Sequence, residues 1–324
     1  MHTLIARGCG VLAVLILVSC SKPANEAAVS QADSAPGAET TLPASVEPAQ
    51  VFDAAAARYT GFEEIAELVQ LEQGKWEGAP WIEGAAARLQ IILLDGVETI
   101  GDLNGDGSME SAVLLNLAMG GSGQLLYLAA IPSDADSNSV ISVTLVGDRV
   151  QVRDVKISNG RLLLDVLQAG PGDAMCCPGE LATRAWEMSG VGELLEVASG
   201  AESQRFAVAR LASSEWVLDR WSRDELAENT AVSLSFSENG IAGSSGCNRY
   251  NASISDGESP GEVSVGPVAG TRMACPEEPM AVEARYLQAL SAVNKLSFIK
   301  GQLLLTSVGK AGISSMYFDL KAED

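Results

Sequence analysis

Short apolar stretches of strand length, set apart by turn residues, recur along most of this 324-residue chain. Residues 88–94, 111–117, 125–131, 140–146, 150–157 and 161–167 are such stretches. Apolar runs of this length between Gly, Pro, Asn and Asp fit strands, and many in succession point to a mainly β fold. Asn159-Gly160 separates the last two, and both residues tolerate the positive φ of a type I′ hairpin turn. Gly120-Gly121-Ser122-Gly123 lacks the Gly-Lys-Ser/Thr ending of a phosphate loop and any G-x-S-x-G frame, so it reads as a turn between strands. Residues 62–69 offer a helical alternative, with Ile65, Leu68 and Val69 on one face.

Further along, Val232, Leu234 and Phe236 alternate into Glu238-Asn239-Gly240, and the chain returns through Ile241. Residues 279–294 read as a helix, with Ala284, Leu287, Leu290 and Val293 inward and Glu283, Arg285 and Gln288 facing away. Pro279 suits its first turn, and Glu277 and Glu278 suit the positive end of its dipole. Strands are expected over 296–298 and 303–306, around Lys300-Gly301, and through Met316, Phe318 and Leu320. The expectation is two β-rich domains, 58–200 and 205–324, the second an antiparallel sheet with one packed helix.

The first twenty residues address the chain to the cell envelope. One arginine precedes an eleven-residue apolar run, 8–18, too short for the roughly 18 or more residues of a spanning helix. The run ends in Leu17-Val18-Ser19-Cys20, which resembles the lipobox of bacterial lipoproteins. Residues 1–19 are then a signal peptide, and Cys20 is the lipidated, palmitate-bearing N-terminus. Ser21 suits outer-membrane sorting with the folded part facing the periplasm, the inner membrane being the lesser alternative. Residues 20–57 are rich in Ala, Ser, Pro, Glu and Thr and are expected to form a disordered tether.

Charge and residue usage exclude several chemistries. The net charge is −21, and the single histidine is His2. The mature chain therefore has no imidazole for a Ser-His-Asp triad, a Cys-His pair or a histidine-bound zinc. Clustered Lys and Arg for a phosphate backbone are missing, which argues against nucleic acid. Residues 58–204 hold 22 acids against 8 bases, whereas 205–324 hold 15 against 11. The acidity belongs to the first domain.

Gly246-Cys247-Asn248-Arg249-Tyr250, followed by Thr271-Arg272-Met273-Ala274-Cys275-Pro276, resembles the META/HslJ-like domain. The likeness spans about residues 214–320 and includes Trp216, Glu283 and the closing apolar strand. It implies a β scaffold with a packed helix, no established enzymatic activity, and links to envelope stress and antibiotic tolerance. The first domain resembles an uncharacterised module of acidic bacterial lipoproteins, through Gly101 to Gly107, Gly147-Asp148-Arg149-Val150 and Gly172-Asp173 leading to Cys176-Cys177-Pro178.

Two motifs carry candidate chemistry. Asp102, Asn104, Asp106, Ser108 and Glu110 stand at positions 1, 3, 5, 7 and 9 of a D-x-N-x-D-G-x-x-E loop, the pattern of a calcium site. Position 12 is Val113, so no bidentate Glu closes it, and an acidic turn is the competing reading. Four cysteines remain after lipidation and allow three pairings. A bridge from Cys247 to Cys275 inside the META-like domain leaves Cys176 and Cys177 only each other, as a vicinal bridge or a pair of thiols.

No enzyme is expected, and no cofactor beyond the candidate Ca²⁺. The expected function is a non-catalytic binding or structural role in a lipid-anchored envelope protein, the membrane being the one sure partner. One alternative is a binder of a cationic protein such as lysozyme, motivated by the acidic first domain. Another is a histidine-free hydrolase built on paired carboxylates.

Overall fold

Which face of each strand turns inward follows from its alternation of apolar and polar residues. The computed structural model describes residues 52–321 other than 81–83, 85, 175, 223, 226–230 and 310–311. The expected signal peptide, Cys20 and the expected tether up to residue 51 lie outside the described residues. The last six residues assigned to the tether are folded. Asp53 caps the short 3₁₀ turn Ala54–Ala56, and Tyr59 Oη donates to Ala54 O at 2.9 Å.

The first half is built from two sheets. Across the larger one the order is Val69–Gln70, Arg58–Thr60, Val140–Asp148, Gln124–Ile131, Glu110–Ala118, Arg88–Leu93 and Lys75–Pro80, with Thr99–Gly101 also beside Glu110–Ala118. Neighbours are antiparallel, save that Arg58–Thr60 runs parallel to Val140–Asp148. The second sheet runs Leu194–Val197, Glu180–Met188, Arg161–Gln168, Gln151–Ser158, with Gln204–Arg205 against Glu180–Met188. Every strand expected in this half is present, its ends within two residues of the expected ones. The turn between Ser158 and Arg161 has Asn159 at φ 54° and Gly160 at φ 70°, as the type I′ reading requires.

Two strands are buried on both faces. Val113, Leu115 and Leu117 join Tyr127, Ala129 and Ile131 in one cluster. Ala112, Leu114, Leu126, Leu128 and Ala130 face the second sheet and meet Leu162, Leu164, Val166 and Trp186. A strand covered on both sides reads as a continuous apolar run, which explains why 111–117 and 125–131 show no clean alternation.

Residues 62–69 correct the helical expectation. They form turns that lead into the strand Val69–Gln70. Phe62 and Ile65 are buried, Leu68 is 47% exposed, and Phe62 meets Tyr127 edge to face at 4.8 Å. Tyr127 Oη accepts from Glu63 N at 3.1 Å and donates to Glu64 Oε2 at 2.5 Å. Two turns of helix repay little of their nucleation cost, and tertiary anchors win.

The second half is one ten-stranded antiparallel sheet. Its main path is Val263–Val265, Arg249–Asp256, Gly240–Ser244, Ser233–Phe236, Glu215–Trp221, Gly312–Leu320, Gln302–Gly309, Lys295–Ile299. One face packs against the helix Glu277–Ser291 and the connector residues Phe206, Val208 and Leu211. Of the residues expected inward, Leu290 and Val293 are buried and Leu287 packs against the core, whereas Ala284 is exposed and Tyr286 is buried instead. Residues spaced strictly by three drift about 60° round a helix at each step, so 284, 287, 290 and 293 share no face. Positions 286, 290 and 293 do.

The halves share their apolar interior. Leu167 of the first half belongs to the cluster of Trp216, Leu234, Tyr286 and Phe318, and Leu181 packs against it. Edge strands also meet. Phe298 N donates to Gln151 Oε1 at 2.7 Å, Gly301 N donates to Val152 O at 3.1 Å, and the Arg153 guanidinium lies 5.0 Å from the Phe298 ring centre. Leu167→Ala should therefore cost about 2–5 kcal/mol, the usual range for a leucine cavity. Calorimetry should show both halves melting together at a lower temperature; a shift confined to one of two separated transitions would refute the shared core.

Candidate functional site

The D-x-N-x-D-G loop is closed by its own backbone. Asp102 Oδ1 accepts from Gly105 N at 2.7 Å, and Oδ2 accepts from Gly107 N at 3.1 Å. Asn104 Oδ1 accepts from Asp106 N at 2.8 Å, and Asp106 Oδ1 from Ser108 N at 2.7 Å. The Ser108 amide, then Asn104, hold the Asp106 carboxyl below its usual range. Glu110 is buried, and its Oε2 accepts from Leu103 N at 2.9 Å. These are successive Asx-type turns, with Glu110 turned into the protein. Among the described residues no three Asp, Glu, Cys or His side chains converge to hold a metal.

Cys176 and Cys177 stand as two thiols, not as the vicinal bridge expected as one alternative. Asp173 shapes their turn. Its side chain is 3% exposed, accepts from Gly170 N at 2.9 Å and Gly179 N at 2.8 Å, and pairs with Arg205. Burial alone would raise the Asp173 carboxyl, but Arg205 and the two amides outweigh it and hold it below its usual range. The Cys177 thiol is pushed up, first by a hydrogen bond with Cys176 and then by burial.

The densest polar cluster lies in the second half. Asn248 is 3% exposed, and all of its side-chain groups are engaged. Nδ2 donates to Glu283 Oε1 at 3.0 Å and Met273 O at 3.3 Å; Oδ1 accepts from Thr271 Oγ1 at 2.8 Å and Met273 N at 2.7 Å. Glu283 Oε2 accepts from Asn248 N at 2.8 Å. Ser245 Oγ lies 2.7 Å from Glu283 Oε2 and 2.8 Å from Asn248 O, so its one proton serves one acceptor at a time. A bond from Cys247 to Cys275 joins the two loops beside this knot.

Glu283 corrects the expectation that it faces away from the protein. Burial would raise its carboxyl, yet the hydrogen bonds from Ser245 and Asn248 hold it below its ordinary 4.5. Ser245 was not singled out in the sequence, although a serine directly before Gly-Cys-Asn was the available signal. Under the knot, Tyr250 Oη and Tyr286 Oη lie 2.6 Å apart, and burial keeps both phenols well above their usual range.

A groove of about 450 Å³ runs over the sheet beside the knot, lined among others by Glu215, Ser233, Ser235, Arg249 and Met273. Its floor needs Gly243: a Cβ there would lie 2.0 Å from Ser233 O. Glu215 is its one carboxylate and pairs with Lys321 at 2.9 Å. Among the described residues, this groove is lined by one carboxylate and not by the pair used in glycoside hydrolysis.

The order Gly-Cys-Asn-Arg-Tyr, Thr-x-Met-x-Cys-Pro, helix thus closes into one structural unit. Residues 209–318 match the family model of the META domain. The second half of this protein is a META domain. A solved structure described as the NMR structure of a protein from Burkholderia xenovorans is similar over 39% of this chain and 100% of its own. Its identity is 23% and its TM-score 0.30, too low to support a structural argument. No curated protein matches the chain.

In this META domain the signature residues hold one another. Glu283→Gln places an amide N–H₂ opposite the Asn248 donors and should destabilise by about 1–3 kcal/mol, the range for stranded buried polar groups. A carboxyl depressed by folding contributes its full stability above its ordinary 4.5 and loses it as pH falls through the depressed value. The gap between wild type and Glu283→Gln, measured by urea melts, should be largest at neutral pH and close in acid. A gap that stays constant to about pH 2, below the usual carboxyl range, would refute this role.

Proposed function

We propose that this protein is a lipid-anchored lipoprotein of the bacterial envelope, held at Cys20, whose folded part has a non-catalytic binding or structural role facing the periplasm. One observation carries the non-catalytic reading. The Asn248 and Thr271 side chains of the two boxes, with Ser245 before the first and Glu283 on the helix, are spent on one another and on the backbone. None is presented to the groove as an acid, base or nucleophile. A role in stress or antibiotic tolerance enters through the META domain and fits a scaffold made rigid by a disulfide and a buried knot.

The anchor rests on Leu17-Val18-Ser19-Cys20 and on the low hydrophobicity of the segment that follows. Two or more acyl chains bind a bilayer stably, whereas one binds marginally. Cys20→Ala should release the protein from membranes and abolish palmitate labelling. Labelling or membrane retention that survives the substitution would overturn the proposal.

A second reading is favoured by charge: residues 58–204 carry 22 acids against 8 bases. Such a surface attracts a cationic protein or peptide, lysozyme being one example. Electrostatic capture weakens as the Debye length shrinks to about 3 Å at 1 M salt. A basic partner retained at low salt and lost at high salt would support this reading, and retention at both would oppose it.

A further inference from the structure

Cys176 and Cys177 are the free thiols of the described residues, and neither takes part in the apolar cores. They lie between the strands Arg161–Gln168 and Glu180–Met188, in a turn whose base Asp173 closes from both sides. Asp173 thus ties Gly170 and Gly179, which flank the pair. Cys176 is exposed and, with Arg149, Phe298 and Lys300, lines a groove of about 390 Å³ where the two halves meet. Cys177 is half-buried near Glu262 and Lys295. The two thiols are carried by consecutive residues, and Cys176 is the main influence on the Cys177 thiol.

We propose that Cys176 and Cys177 form a dithiol site for a thiophilic trivalent centre of the arsenite or organoarsenical class. Two S–H bonds break and two As–S bonds form. The matching As–O bonds break: an arsenoxide oxygen leaves with both protons as one water, or two hydroxyls of arsenous acid leave with one proton each as two waters. Arsenic stays trivalent, so the step needs neither oxidant nor reductant. The attacking species is the thiolate, and at Cys177 the Lys295 cation works against the hydrogen bond and burial that hold the proton on sulfur. Once the first As–S bond exists, the second closes within the molecule at a high effective concentration, which a single cysteine cannot offer. The groove beside Cys176 gives the organic substituent a place against Phe298.

The test uses the purified full chain in detergent with phenylarsine oxide as the probe. The expected result is one arsenical bound per chain with two fewer titratable thiols, released by a small dithiol and resistant to an excess of monothiol. Cys176→Ser and Cys177→Ser should each lose this capture while keeping the wild-type melting temperature, which separates loss of the site from loss of folding. Capture unchanged in both variants, release by monothiol, or loss of one thiol per arsenical would overturn the proposal. So would thiol titration of the denatured, unreduced wild type that finds residues 176 and 177 already bridged.

Discussion

The Glu283 carboxylate is the group on which the META domain closes. It reaches from the helix to two consecutive features of the loop, the Ser245 hydroxyl and the Asn248 amide groups. Asn248 in turn fixes the Thr271–Met273 segment, so one charge orients helix, first box and second box together. A half-buried carboxylate is tolerable only when its lone pairs are filled, and here several donors fill them. The disulfide between Cys247 and Cys275 then ties loops whose positions the knot has already defined. Beneath lies the aromatic group of Trp221, Tyr250, Tyr286 and Phe318, whose rings meet edge to face around Tyr286.

The seam between the halves depends on different physics. It is apolar at its centre, where Leu167, Phe206 and Phe298 belong to or flank the META core, and hydrogen-bonded at its rim through Gln151 and Val152. Arg153 lies over the Phe298 ring there, and burial holds its guanidinium below the usual range. That arrangement leaves Arg153 Nε buried without a hydrogen-bond partner. The cation–π contact and the neighbouring Asp154 and Asp165 offset part of that loss.

Much of this was legible in the residues. Strands announced themselves because apolar runs, Asn159-Gly160 and Lys300-Gly301 are local signals, and local signals survive in any tertiary context. The META boxes were legible as words before their mutual hydrogen bonds were visible. Two features were not legible. Glu283 looked like a solvent-facing residue because its partners are 35 and 38 positions away. Residues 62–69 looked helical because nothing local shows that Tyr127, more than sixty positions on, holds Glu63 and Glu64. The calcium pattern was legible as a turn, while its ligand geometry depends on Glu110, which points inward to Leu103 N.

Arg58–Thr60 is the first strand of the folded part, yet it is not an edge. It lies between Val69–Gln70 and Val140–Asp148, bonded to both. An outer strand can be unzipped one bond at a time; an inserted one resists until the bonds on both flanks yield together. Any mechanical load that arrives through the chain before Phe52 passes the Ala54–Ala56 turn and enters the sheet at this strand, and forced unfolding is governed by the rate of unfolding. The fold thus meets tension from its amino-terminal side with its neighbours sharing the strain.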